Sequence, residues 1–173
     1  SLAEDKAGHL WFTNQTQSLI RYDGEQIRSF SNSLLNRFGV VRGSIYDSKG
    51  SIWFATSGAG VCRFDGKTIF SFTVGQGLAG NNTRSVFEDS KGRIWVGSFK
   101  QGVSCIAGDS ILTYTTEQGL PNNEVWNIME DRKGNIWFST HGGGASCFTG
   151  KEFLNYSMDQ GLPGNVIWNI NQD

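Results

Sequence analysis

Proline is nearly missing from these 173 residues, which hold 2 prolines, 2 histidines, 2 methionines and 3 cysteines. The histidines, His9 and His141, lie far apart, and no Cys-x-x-Cys pair occurs, so neither a zinc site nor a histidine metal pair is expected. No run of 18 apolar residues is present, which rules out a membrane-crossing helix, and no signal peptide is visible. Charge of one sign is missing as well. The 15 Lys and Arg balance 16 Asp and Glu for a net charge of -1, and they are scattered rather than clustered. That excludes a nucleic-acid footprint and a patch for anionic membranes. Helical periodicity is lacking. No helix of three turns fits, and Ser33 to Phe38 offers at most a single turn.

What is plentiful is glycine, at 23 residues, with aromatics at 13%. This mixture suits many short strands joined by tight turns. One phrase recurs every 42 residues: Asp47 to Phe54 reads Asp-Ser-Lys-Gly-Ser-Ile-Trp-Phe, and close copies start at Asp5, Asp89 and Asp131. Asp173 opens a fifth. A fixed period of this size means an array, in which each unit buries its face against the next.

One unit resolves into four strands. Val125 to Glu130 is the first, Asp131 to Gly134 a tight turn, and Ile136 to Thr140 the second. Ala145 to Phe148 follows after a glycine-rich connection, then a turn at Thr149 to Lys151, then Phe153 to Tyr156. Four antiparallel strands per 42 residues make a propeller blade. The fold class is therefore all-β: four blades over residues 1–173, roughly 1–42, 43–84, 85–126 and 127–168, with 166–173 starting the next. Trp11, Trp53, Trp95 and Trp137 stand 42 apart on the second strands and are assigned to the core between blades. A fully buried Trp gains at most about 4–6 kcal/mol from area removed from water. Gly8, Gly50, Gly92 and Gly134 are turn glycines, not a phosphate loop, since no helix follows them. Cys62, Cys105 and Cys147 read as buried thiols. A disulfide needs Cα atoms within about 7 Å, whereas stacked sheets lie about 10 Å apart.

The ordered phrases Asp-x-x-Gly-x-Ile-Trp-Phe, Gly-x-x-x-Phe-Asp-Gly and Gln-Gly-Leu-Pro-x-Asn, with an inner strand ending in Glu-Asp, resemble the two-component regulator propeller repeat. The resemblance spans the whole chain. The Trp-Asp repeat dipeptide is absent, and kelch units are longer, near 50 residues. The first unit departs from the pattern, with Ser33-Leu34-Leu35-Asn36 where the others have Gln-Gly-Leu. The resemblance implies blades of an extracytoplasmic, periplasmic sensor of bacterial hybrid histidine kinases, where such repeats build propellers of about seven blades. It implies sensing rather than catalysis, and no cofactor.

The loops after the fourth and second strands emerge at one end of each blade, so Gly119 to Asn123 is expected beside Ser139 to Gly142. At that end the top of each inner strand reads Arg42, Arg84, Trp126, Trp168, with Asn127 and Asn169 next to the last two. Arginine, indole and amide suit an acidic oligosaccharide: guanidinium to carboxylate or sulfate, ring to ring, amide to hydroxyl. The competing structural reading makes the tryptophans packing and the arginines bridges between blades. His141 joins the candidate ligand-binding set; it varies between units, as do Phe99 and Lys100, and all three also fit an ordinary surface. No catalytic constellation is visible. A structural or protein-interaction propeller, and a propeller lyase or hydrolase, stand as alternatives.

Both ends of the chain fall at the same phase of the repeat, inside a strand, which suggests a piece of a longer array. An open arc is expected, its end faces meeting further blades or a second copy of the chain. Were the ring closed, Val166 to Asp173 would compete with Ser1 to Glu4 for the Trp11 strand.

Overall fold

The computed structural model describes residues 2–13, 19–30 and 39–173. Four antiparallel sheets follow one another along the chain. Blade one holds β1 (Leu2–Glu4), β2 (Leu10–Thr13), β3 (Leu19–Tyr22) and β4 (Ile27–Phe30); blade two holds β5 (Val41–Tyr46), β6 (Ile52–Thr56), β7 (Val61–Phe64) and β8 (Ile69–Phe72). Blade three holds β9 (Thr83–Glu88), β10 (Ile94–Ser98), β11 (Val103–Ala107) and β12 (Ser110–Tyr114); blade four holds β13 (Val125–Glu130), β14 (Ile136–Thr140), β15 (Ala145–Phe148) and β16 (Phe153–Tyr156). Each sheet keeps sequence order, so strands that follow one another in a unit pair with one another. The strands expected for the last unit agree with those observed. The turn expected over Ser33 to Phe38, and the departure at Ser33 to Asn36, lie outside the described residues.

The Asp-x-x-Gly turn does more than reverse the chain. Oδ1 of Asp89 accepts from the backbone of Lys91 and Arg93, while Oδ2 accepts from Trp95 Nε1 at 2.8 Å. The same indole bond recurs at Trp11, Trp53 and Trp137. Each buried indole thereby satisfies its N–H without leaving the core. Each ring also stacks on the fourth-strand aromatic of its own blade: Phe30, Phe72, Tyr114 and Tyr156 in turn.

Three apolar clusters fill the three seams between blades. Trp11 meets Ile52, Phe54 and Phe64; Trp53 meets Val86, Ile94 and Ile106; Trp95 meets Ile136, Phe138 and Phe148. Trp95 is wholly buried, whereas Trp137, at the same position in blade four, is only half-buried and belongs to no such cluster among the described residues. Among the described residues the clusters join one to two, two to three and three to four, and the blades form an open arc. β1 pairs with β2 through Leu2–Phe12, Ala3–Trp11 and Glu4–Leu10, so the N-terminal stub holds the Trp11 strand and the chain's end does not.

Residues 167–173 correct one expectation, because they form no strand. Among the described residues no strand pairs with them to complete a ladder. They nevertheless follow the path of a fifth inner strand: Ile170 N donates to Asn127 Oδ1, and Gln172 Oε1 accepts from Arg132 N. That last bond repeats a clip seen between earlier blades, in which Glu88 takes Ser48 and Glu130 takes Ser90.

A second difference from the sequence reading lies in the loops that lead from blade to blade. Gln76, Gln118 and Gln160 close single 3-10 turns, Val74–Gln76, Thr116–Gln118 and Met158–Gln160. Thr73, Thr115 and Ser157 cap them, with each glutamine returning a bond to its cap. The following glycine adopts a left-handed φ of 100°, 104° or 95°, which glycine alone takes without cost. Asn81, Asn123 and Asn165 accept from the first backbone N–H of each turn. No helix among the described residues is long and apolar enough to cross a membrane.

Candidate ligand-binding surface

The row Arg42, Arg84, Trp126 coincides with a break in register at the top of each inner strand. Pairing skips from Val41 to Gly43, from Thr83 to Ser85 and from Val125 to Asn127. Each row residue is thus the extra residue of a β-bulge, a device that re-aims one side chain out of the ladder. The period of 42 marks these positions in the sequence, but the bulge itself has no sequence signature here.

Arg84, Trp126, Trp168 and His141 come together at the top of blades three and four. The Arg84 guanidinium lies 4.7 Å from the Trp126 ring centroid and 5.1 Å from that of Phe99. Trp126 stacks on His141 at 4.9 Å and meets Trp168 at 3.9 Å. Its ring is therefore committed to protein neighbours, and the indole with open area is Trp168, 70% exposed. The bridging role considered for the arginines holds for Arg84, which reaches from its own blade to Trp126 on the next.

The hub of this cluster is Glu124, which the sequence reading missed. Its side chain is 9% exposed. Oε1 accepts from Trp126 Nε1 at 2.8 Å and lies 3.8 Å from Arg84 Nη2, while Oε2 lies 3.8 Å from His141 Nδ1. Its backbone oxygen accepts from His141 N and its N–H donates to Asn122 Oδ1. These bonds also place the Gly119 to Asn123 loop beside His141 and Gly142, as the blade topology predicts. Glu124 occupies the position of Val40 and Asn82 in the units before it, so repeat comparison hides it.

The other candidate residues stand apart. Arg42 and Asn169 are exposed, and among the described residues their side chains make no hydrogen bond, ion pair or ring contact. The amide of Asn127 is used on the chain itself, accepting from Ile170 N at 3.3 Å.

Lys100 adds strain to the surface. Its φ of 75° is the one positive value outside glycine among the described residues. The equivalent positions in blades two and four are Gly58 and Gly142. A side chain in the left-handed region costs about 1–2 kcal/mol. Buried polar atoms without a protein partner gather nearby: Asn82 Oδ1, Arg84 Nε and Ser85 Oγ all lie at the start of β9.

No group of metal-binding side chains occurs among the described residues. All three cysteines are reduced and buried. Burial pushes the Cys62 and Cys105 thiols up to about 11, which leaves no thiolate nucleophile near neutrality.

Two stretches, residues 77–100 and 119–142, match the model of the two-component regulator propeller family. Each runs from the glycine after a 3-10 turn, through the inner strand, the Asp turn and the second strand, to the loop bearing Lys100 or Gly142. A comparison with curated proteins gave no match. Among solved structures, the chain is similar to the extracellular domain of a hybrid two-component system from B. thetaiotaomicron, with 26% identity and a TM-score of 0.81 over 95% of this chain. It spans only 23% of that domain. A one-component system's extracellular domain from the same organism gives 19% identity and a TM-score of 0.71, over 90% of this chain and 23% of that one. Virginiamycin B lyase from Staphylococcus aureus gives 16% identity and 0.74, over 90% and 54%, which is a likeness of fold alone. Residues 77–100 and 119–142 are thus similar to two repeats of the two-component regulator propeller family.

Proposed function

We propose that this chain is a ligand-sensing segment of an extracytoplasmic propeller in a bacterial two-component regulator, and that it recognises a glycan fragment at the top of blades three and four. The observation that carries the reading is the exposed indole of Trp168, braced at 3.9 Å by Trp126. Trp126 is itself fixed by the buried Glu124 carboxylate. An aromatic face held rigid from behind takes the apolar face of a sugar ring at little entropic cost. His141, stacked on Trp126, offers its ring nitrogens to hydroxyls. The likeness to extracellular domains of two-component systems supports the setting. Tryptophan fluorescence titrated with a panel of oligosaccharides tests this. Saturable quenching that disappears in Trp168→Ala and persists in Trp137→Ala is expected; a panel without any quenching, or quenching indifferent to Trp168→Ala, sinks the reading.

We propose further that the uncovered face of blade four seats another blade. Residues 167–173 already run along that face as a fifth inner strand would, and Trp137 awaits the apolar partners that Trp95 has. The isolated chain is expected to self-associate with rising concentration in light scattering. A monomer at all concentrations, with Trp137 accessible to a soluble quencher, contradicts an adhesive face. Signal would then pass through blade packing, since a ligand shifts an equilibrium only by its differential affinity for two arrangements.

A further inference from the structure

Phe99 carries a cation at each of two contacts. The Arg84 guanidinium and the Lys100 ammonium both lie 5.1 Å from its ring centroid. Neither side chain donates a hydrogen bond to the protein among the described residues. The nearest acid, Glu124, is 3.8 Å from Arg84, beyond hydrogen-bond reach, and its Oε1 already serves Trp126 at 2.8 Å. A guanidinium has five N–H donors and an ammonium three, so this corner holds a surplus of unused donors beside one another. Two further observations point to a ligand. Arg84 Nε is buried without a partner, as are Asn82 Oδ1 and Ser85 Oγ close by, and native structures leave few such groups idle. Lys100 also holds a strained left-handed φ of 75°, where the equivalent residue of blade four is Gly142 at 98°.

We infer that Arg84, Phe99 and Lys100 form an oxyanion subsite that takes a carboxylate or sulfate group. Both cations contact the one Phe99 ring, and a planar or tetrahedral oxyanion accepts from both at once, with charge-assisted bonds stronger than neutral ones. The inference rests on the saccharide reading only for what carries the anion: a uronic-acid or sulfated sugar whose ring lies toward Trp126 and Trp168, or the free inorganic ion.

Calorimetric titration of the whole chain with a uronic-acid disaccharide, a sulfated disaccharide, cellobiose and inorganic sulfate separates these. Acidic sugars are expected to bind at least about tenfold tighter than cellobiose at low salt. Lys100→Gly is expected to remove that preference without lowering the melting temperature, because it relieves the strained backbone. Arg84→Gln is expected to act in the same direction. Equal binding of acidic and neutral sugars by the unaltered chain, or an unchanged preference in Lys100→Gly, overturns the subsite and leaves the glycan reading in place. Binding of sulfate that Lys100→Gly abolishes, with no sugar bound at all, upholds the subsite and rejects the glycan. Silence from all four ligands rejects both.

Discussion

Glu130 grips Ser90 of the preceding blade with both carboxylate oxygens, Oε2 accepting from the backbone N–H and Oε1 from the hydroxyl, each at 2.6 Å. The clip joins the end of one inner strand to the turn of the blade before it. Glu130→Ala is expected to cost about 1–2 kcal/mol in urea denaturation, since it strips two charge-assisted bonds at a partly wet site. Glu130→Gln should cost less than half as much, because Gln172 makes the backbone half of the same clip with an amide oxygen. Equal losses for the two variants would assign the stability to packing of the side-chain stem.

The tryptophans offer an internal control. Trp95 is wholly buried between blades three and four, while Trp137 lacks a covering blade. Trp95→Ala is expected to lose about 3–5 kcal/mol, as large-to-small changes in packed cores do. Trp137→Ala should lose no more than about half of that. Similar losses would mean that something covers Trp137 in solution, and the oligomeric state would say whether it is a second copy.

Acid should act through the turn aspartates. Burial draws the Asp131 carboxyl upward, but bonds from Trp137 Nε1, from the Asn135 side chain and backbone and from the Lys133 backbone outweigh it and hold it at about 2. Asp5 and Asp89 are lowered in the same way, against the same pull of burial. A depressed carboxyl contributes stability in full above its unfolded value near 3.8. That contribution fades as pH falls toward 2. Stability followed by intrinsic fluorescence should therefore be flat from pH 7 to about 5 and fall steeply between about 4 and 2. Asp131→Asn should flatten part of that fall, and at pH 7 it sets an amide N–H against the Trp137 N–H. An unchanged acid limb would exclude Asp131 from it.

Gly102 tests the blade geometry itself. Its φ is 90°, and an added Cβ would sit on the carbonyl oxygen of Tyr114. Gly60 and Gly144 face Phe72 and Tyr156 in the same way. Gly102→Ala is expected to remove at least about 3 kcal/mol, combining left-handed strain with overpacking. A variant as stable as the parent in thermal unfolding would show that the loop can leave this position.

What could be read from the sequence follows a physical divide. The strands of blade four were legible because each is bounded by explicit turn chemistry, Asp131 to Gly134 and Thr149 to Lys151. The 3-10 turns were not, because a three-residue turn has no periodicity and its only sign is Thr115 spaced three residues before Gln118. At the surface, the repeat directed attention to Arg84 and Trp126, which hold one aligned position. It gave no sign of Glu124, whose position reads Val40 and Asn82 in earlier units, nor of which indole would be open, since that depends on three rings meeting in space.

The clips all point the same way, from an acid or amide back to the blade before. A pull on the last blade would load Glu130, then Glu88, one after another, like the hooks of a chain, so the array has a mechanical direction. It should peel from one end rather than burst, and a rearrangement begun at blade four has a defined route along which to travel.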